Sequence, residues 1–354
     1  MALPTFLTQR VEALEHAVAK RVLQVAERLP AALLQPLSRV ADGAVLHPEI
    51  ALLLGLQRLL GVRQLSAGDV KAARRHLLRD ARVHSGTPIP VGAVHELTYP
   101  AATGPQRARH YVPRNPERAP LLVFFHGGGF ALGDLDTHDA PCRALCAEGN
   151  LHVLSVEYRL APEAPFPAGL DDAYAAFRWA QQNAERLGAD PRRIAIGGDS
   201  AGGNLAAVIT LLAKERGDPL PALQLLLYPA VDSTRDSASI DSFAEGLFLS
   251  RADIHWFRDA YIGAHDRSDW RVSPLLAKDL SGLPPAIVLS AGFDPLRDEG
   301  EAYARALEAA GNRVVLKRFP QLIHGFINLG ALSAHARASL GDVAKLVRQQ
   351  LTSS

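Results

Sequence analysis

From residue 90 onward the chain alternates short apolar runs with stretches of helical length, and this constrains the fold most. LLVFF (121–125), LHVLSVEY (151–158), RIAIGG (193–198), LQLLLYP (223–229), PAIVLSAG (285–292) and RVVLKRFP (313–320) are rich in branched and aromatic residues. Strands of this kind, separated mostly by helices, predict an α/β fold around a parallel sheet. AVHELTYP (93–100) and RARHYVP (107–113) come close together ahead of them and predict an antiparallel hairpin on the sheet edge. Before residue 90 the pattern is helical instead. Val11, Leu14, Val18, Val22, Val25 and Leu29 recur every three or four residues up to Pro30, and Leu52–Leu60 and Val70–Leu78 read as two further helices. The expected division is a helical segment over 1–90 and an α/β domain over 91–354. An insertion at about 231–271, whose FAEGLFLSRADIHWFRDAYI is helical and aromatic, interrupts the domain and could fold back as a lid with the N-terminal segment.

Two glycine-rich stretches sit at strand ends. In GGDSAGG (197–203), Gly198, Ser200 and Gly202 form G-x-S-x-G, in which a serine occupies a tight strand-to-helix turn and the flanking glycines let neighbouring backbone pass without a Cβ clash. Chance alone supplies this pattern in roughly one chain in ten of this length, so a corner without chemistry is the competing reading. The position between RIAIGG and the helical SAGGNLAAVITLLAKER favours the nucleophile. HGGGF (126–130) follows LLVFF directly, and its glycines expose backbone amides to a developing negative oxygen. Gly128, Gly129 and the residue after the serine, Ala201, are the expected oxyanion donors. His126 is expected to hold the loop rather than to titrate, with Gly127, Gly198, Asp199 and Gly202 supporting the two turns.

A serine nucleophile needs a base, and the base needs an orienting carboxylate. Among the thirteen histidines, His324 stands out in FPQLIHGF, a loop beyond a late strand and next to a glycine. Asp294 in LSAGFDPLRDE follows a strand in the same way, whereas Asp298 and Glu299 fall in the first turn of the next helix, where acidic residues are ordinary. Ser200, Asp294 and His324 are therefore the expected triad.

Charge excludes several partners. With 38 Lys and Arg against 37 Asp and Glu there is no field to gather phosphates, so no nucleic-acid partner is expected. Cys142 and Cys146 are four apart on a helical stretch and suit core packing better than a metal site or disulfide. The N-terminus does not read as an export signal, and the longest apolar run, Ala51 to Leu56, is too short to span a bilayer, so stable membrane insertion is not expected and a cytoplasmic location is.

HGGGF, YRLAPEAPFPA (158–168), GDSAGG, LSAGFDPLRDE and HGF, in this order over about residues 90–350, resemble the hormone-sensitive-lipase-like, bacterial family IV branch of the α/β-hydrolases. Ala164 stands where many members have histidine. The resemblance implies an eight-stranded, mostly parallel sheet and a cap built from the N-terminal helices and the insertion. It places the triad on Ser200, Asp294 and His324. It implies hydrolysis of short to medium acyl esters through an acyl-enzyme, with no metal or other cofactor, and a small-molecule ester as the partner. Amide cleavage and acyl transfer use the same triad and stay open. Plant gibberellin receptors, similar in sequence but lacking the histidine, make a binding protein the rival that His324 opposes. Relatives often pair through the last strand, here RVVLKRF, but Lys317 and Arg318 suit a solvent edge equally.

Overall fold

The computed structural model describes residues 39–59, 65 and 69–352. The helix expected over Val11–Leu29 lies outside the described residues. Eight strands form one sheet: β1 (Ala93–Ala101), β2 (Gly104–Val112), β3 (Leu121–Phe125), β4 (His152–Val156), β5 (Ile194–Asp199), β6 (Leu223–Leu227), β7 (Ala286–Phe293) and β8 (Val314–Ile323). Their order across the sheet is β8-β7-β6-β5-β3-β4-β2-β1. β1 and β2 pair antiparallel at one edge, as the sequence predicts, and β2 joins β4 antiparallel; the remaining pairings are parallel. All residues of β3 to β7 are buried, which explains why these strands read as unbroken apolar runs.

Successive residues along each strand supply opposite faces. Leu122 and Phe124 enter one core with Cys142, Leu145, Leu340 and Val347, while Leu121, Val123 and Phe125 enter the other with Phe177, Val208 and Tyr303. The first core is closed by α1 (Pro48–Leu59), α3 (Asp139–Gly149) and α9 (Ala334–Thr352), and the second by α4 (Ala168–Asn183), α5 (Ala201–Arg216) and α8 (Arg297–Ala309). Both cysteines pack in α3 as free thiols, and burial pushes Cys146 up to about 12. The helix expected at Leu52–Leu60 begins at Pro48, a residue suited to a first helical turn.

A third apolar cluster covers the carboxyl ends of the strands. It joins α2 (Val70–Ser85), through Ala73 and Leu77, to α7 (Arg251–Ile262), through Ile254, Phe257, Tyr261 and Ile262; between β6 and α7 lies the short helix α6 (Ala238–Ser242). Asp69 caps α2 by accepting from the Ala72 amide at 2.7 Å, and the helix runs past Leu78 to Ser85, where Gly86 at φ +64° stops it. The described part of the N-terminal segment therefore divides: α1 buries Ile50, Ala51 and Leu53 against the main core, and α2 joins the cover. Among the described residues no helix is long and apolar enough to cross a membrane.

Candidate active site

The sheet register brings the two glycine-rich stretches together. β3 and β5 are parallel neighbours with Phe125 opposite Gly198, so HGGG and GDSAG leave the sheet side by side where the strand order reverses. Ser200 sits between β5 and α5 at φ +56°, an unfavourable region for a residue with a Cβ. The turn closes because a Cβ on Gly198 would fall 2.4 Å from the Phe125 carbonyl oxygen, and one on Gly202 would fall 1.9 Å from it. The Ser200 amide donates to the Leu227 carbonyl at 2.9 Å, which leaves the hydroxyl as the group presented outward.

β7 and β8 act likewise, with Phe293 opposite Ile323, so the next residues, Asp294 and His324, emerge as neighbours. His324 Nε2 lies 2.9 Å from Ser200 Oγ, and His324 Nδ1 lies 2.9 Å from Asp294 Oδ2. Asp294 is fully buried, and its Oδ1 accepts the Leu296 amide at 2.8 Å, which fixes the carboxylate. With Nδ1–H donating to that carboxylate, Nε2 faces the serine as an acceptor. The imidazole packs against the Tyr228 ring, 4.6 Å between centroids.

Gly127 donates its amide to Asp199 Oδ1 at 2.8 Å. The amides of Gly128, Gly129 and Ala201 meet no acceptor among the described residues, and all three residues line the cavity that holds Ser200. Asp199 is itself buried: burial pushes its carboxyl up, but His138, whose Nε2 is 3.2 Å away, and the Gly127 amide outweigh this and hold it below the usual range. His126 is fully buried, stacks on Tyr158 at 4.4 Å and contacts the Gly127 carbonyl through Nδ1 at 2.8 Å. Burial, with His138 nearby, lowers it to about 4, so it is neutral at pH 7.

The cavity holds about 120 Å³ and is walled largely by apolar side chains, among them Leu77, Leu132, Phe248, Ile254 and Phe257. Among the aromatic residues of the insertion, Phe248, Phe257 and Tyr261 line it and Trp256 does not. Phe257 rests so closely on the HGGG loop that a Cβ on Gly129 would fall 2.1 Å from its ring, and Phe248 lies against Gly325 beside His324.

A family model described as the alpha/beta hydrolase fold matches residues 122–328. The chain belongs to the α/β-hydrolase family. Within this family it falls in the hormone-sensitive-lipase-like branch. It is similar to the carboxylic ester hydrolase LipN of Mycobacterium tuberculosis, with 47% identity over 89% of this chain and 86% of that protein. It is also similar to an ethyl acetate hydrolase of Pseudomonas putida, with 35% identity over 86% of this chain and 99% of that protein. Among solved α/β hydrolases, an ester hydrolase from the metagenome of Lake Arreo, complexed with a bipyridine phosphonate derivative, superposes with a TM-score of 0.83. It has 42% identity and covers 86% of this chain and 98% of its own.

Two polar residues of this hydrolase's site have no sequence signal of their own. His138 reads as part of a helix, yet it is buried beside Asp199. Glu299 reads as an ordinary first-turn carboxylate, yet it is buried in the cavity wall. Its Oε1 accepts the amides of Val231 at 2.8 Å and Asp232 at 3.3 Å, and its Oε2 lies 3.8 Å from Arg258 Nη2 of α7. Burial raises its carboxyl to about 8, although Arg258 and the two amides oppose the shift.

Proposed function

We propose that the protein is a serine carboxylic-ester hydrolase acting on short to medium acyl esters. The observation that carries this reading is the continuous chain from Ser200 Oγ through His324 to buried Asp294, 2.9 Å at each link, beside three uncommitted amides in an apolar cavity. In this reading His324 Nε2 takes the serine proton as Oγ attacks the ester carbonyl, and Asp294 steadies the imidazolium that forms. The carbonyl oxygen becomes an anion and is held by the amides of Gly128, Gly129 and Ala201. His324 then returns the proton to the departing alcohol oxygen, leaving the acyl group on Ser200. Water, deprotonated by the same imidazole, attacks that acyl-enzyme, and collapse of the second tetrahedral intermediate releases the acid. The apolar wall around Ser200 supports an acyl substrate, and the short-to-medium chain length rests on the resemblance to bacterial family IV esterases.

The test is a series of p-nitrophenyl esters from acetate to palmitate, with Ser200→Ala in parallel and a p-nitroanilide alongside. The expected result is turnover best at short to medium chains, loss of about 10³-fold or more in the alanine variant, and little anilide cleavage. Absence of ester turnover by the wild type would sink the reading, and anilide cleavage as fast as ester cleavage would reassign the triad to amide chemistry.

A further inference from the structure

The oxyanion loop is held in a conformation that it would not keep alone. Gly128 (φ +115°), Gly129 (φ +60°) and Phe130 (φ +61°) follow one another at positive φ, and Phe130 carries a Cβ that makes this region costly. Such backbone persists only where neighbours over-determine it. Two of those neighbours are plain: the Ala161 amide donates to the Phe130 carbonyl at 2.9 Å, and the Phe130 ring stacks on Tyr261 of α7 at 3.8 Å.

The third reaches in from α2. Arg74 Nε donates to the Ala131 carbonyl at 2.8 Å, and Nη2 donates to the Ala161 carbonyl at 2.8 Å. The same guanidinium makes a two-pronged pair with Glu163, Nη1 to Oε1 at 3.0 Å and Nη2 to Oε2 at 2.7 Å. One planar fork thus ties the residue after the strained run to the loop on which that run leans. Lysine, a point charge, cannot span both carbonyls in this way. Resting on the esterase reading above, we propose that Arg74 is a positioning residue for the oxyanion donors, holding the amides of Gly128 and Gly129 in place through Ala131 and Ala161. Arg74 is not part of the cavity wall, so it acts on the charge that develops during reaction and not on the resting substrate.

The test compares wild type, Arg74→Ala, Arg74→Lys and Glu163→Gln on a short p-nitrophenyl ester, and measures inhibition by a trifluoromethyl ketone whose serine adduct carries the oxyanion. Arg74→Ala is expected to lower kcat by about 10–100-fold with KM within about 3-fold, and to weaken the ketone by a similar factor. Glu163→Gln leaves both carbonyl bonds intact and is expected to stay within about 3-fold of wild type on every measure. Should Arg74→Ala fail to fold by circular dichroism, Arg74→Lys carries the test, with kcat expected at least about 10-fold down. The proposal is overturned if the arginine variants keep wild-type kcat, if their loss lies in KM alone, or if Glu163→Gln is as damaged as Arg74→Ala. Failure of the esterase reading looks different, because then the wild type itself turns over no ester.

Discussion

At the scale of single residues, the candidate site depends on side chains that are missing as much as on those present. Gly202 lies in the first turn of α5, where the Phe125 carbonyl already occupies the place of a Cβ, 1.9 Å from where that atom would stand. The obstacle is main chain of the central sheet, so it cannot swing aside. Gly202→Ala is expected to cost about 1–3 kcal/mol of stability by overpacking. It should also lower ester turnover by about 100-fold or more by displacing Ser200 from His324, since small misplacements carry large rate penalties. Gly217→Ala is the control: its φ is +68° but nothing lies within 4 Å, so it should lose some stability and keep the wild-type rate. Thermal unfolding and steady-state rates on both variants decide the matter, and equal rates would show that the turn tolerates a methyl group.

At the scale of elements, α7 covers the site without supplying any candidate triad member. Phe257 packs on Gly129 and closes one side of the cavity, so Phe257→Ala should open space and move the acyl-length optimum toward longer p-nitrophenyl esters. An unchanged optimum would show that another wall limits chain length. Elements are also the level at which the sequence was most legible. β3 to β7 announce themselves because both faces are buried, and Ser200 and Asp294 stand out because each closely follows a strand run; His324 does so less plainly, because Phe319–Ile323, which read as loop around Pro320, belong to β8. What stayed hidden depends on distant partners. Nothing in KAARRHLLRD distinguishes Arg74 from Arg75, because the carbonyls that Arg74 engages lie at positions 131 and 161. The extension of α2 to Ser85 has no sequence signal, because its last turns are polar and give no apolar period to follow.

At the scale of the whole molecule, Glu299 joins three regions: α8 downstream of Asp294, the start of the insertion at Val231 and Asp232, and α7 through Arg258. Its buried carboxyl is raised to about 8 from 4.5, so between those values the folded protein binds a proton that the unfolded chain releases. Stability from this group is therefore full below about pH 4.5 and is lost as pH rises through about 8. Glu299→Gln removes the titration. Its unfolding temperature should match wild type near pH 5 and exceed it near pH 9, and parallel curves across that range would contradict the assignment. The covering layer built from α2 and α7 has a consequence for how such a catalyst diversifies. The candidate reacting groups belong to strand ends locked between two cores, while the cover over them comes from two stretches far apart in the chain, 70–85 and 248–262. Recombination among relatives could graft new substrate tastes by replacing those stretches, but only as a pair. Arg74 from one and Phe257 and Tyr261 from the other grip the same loop, so a graft of either alone would inherit a mismatched clasp.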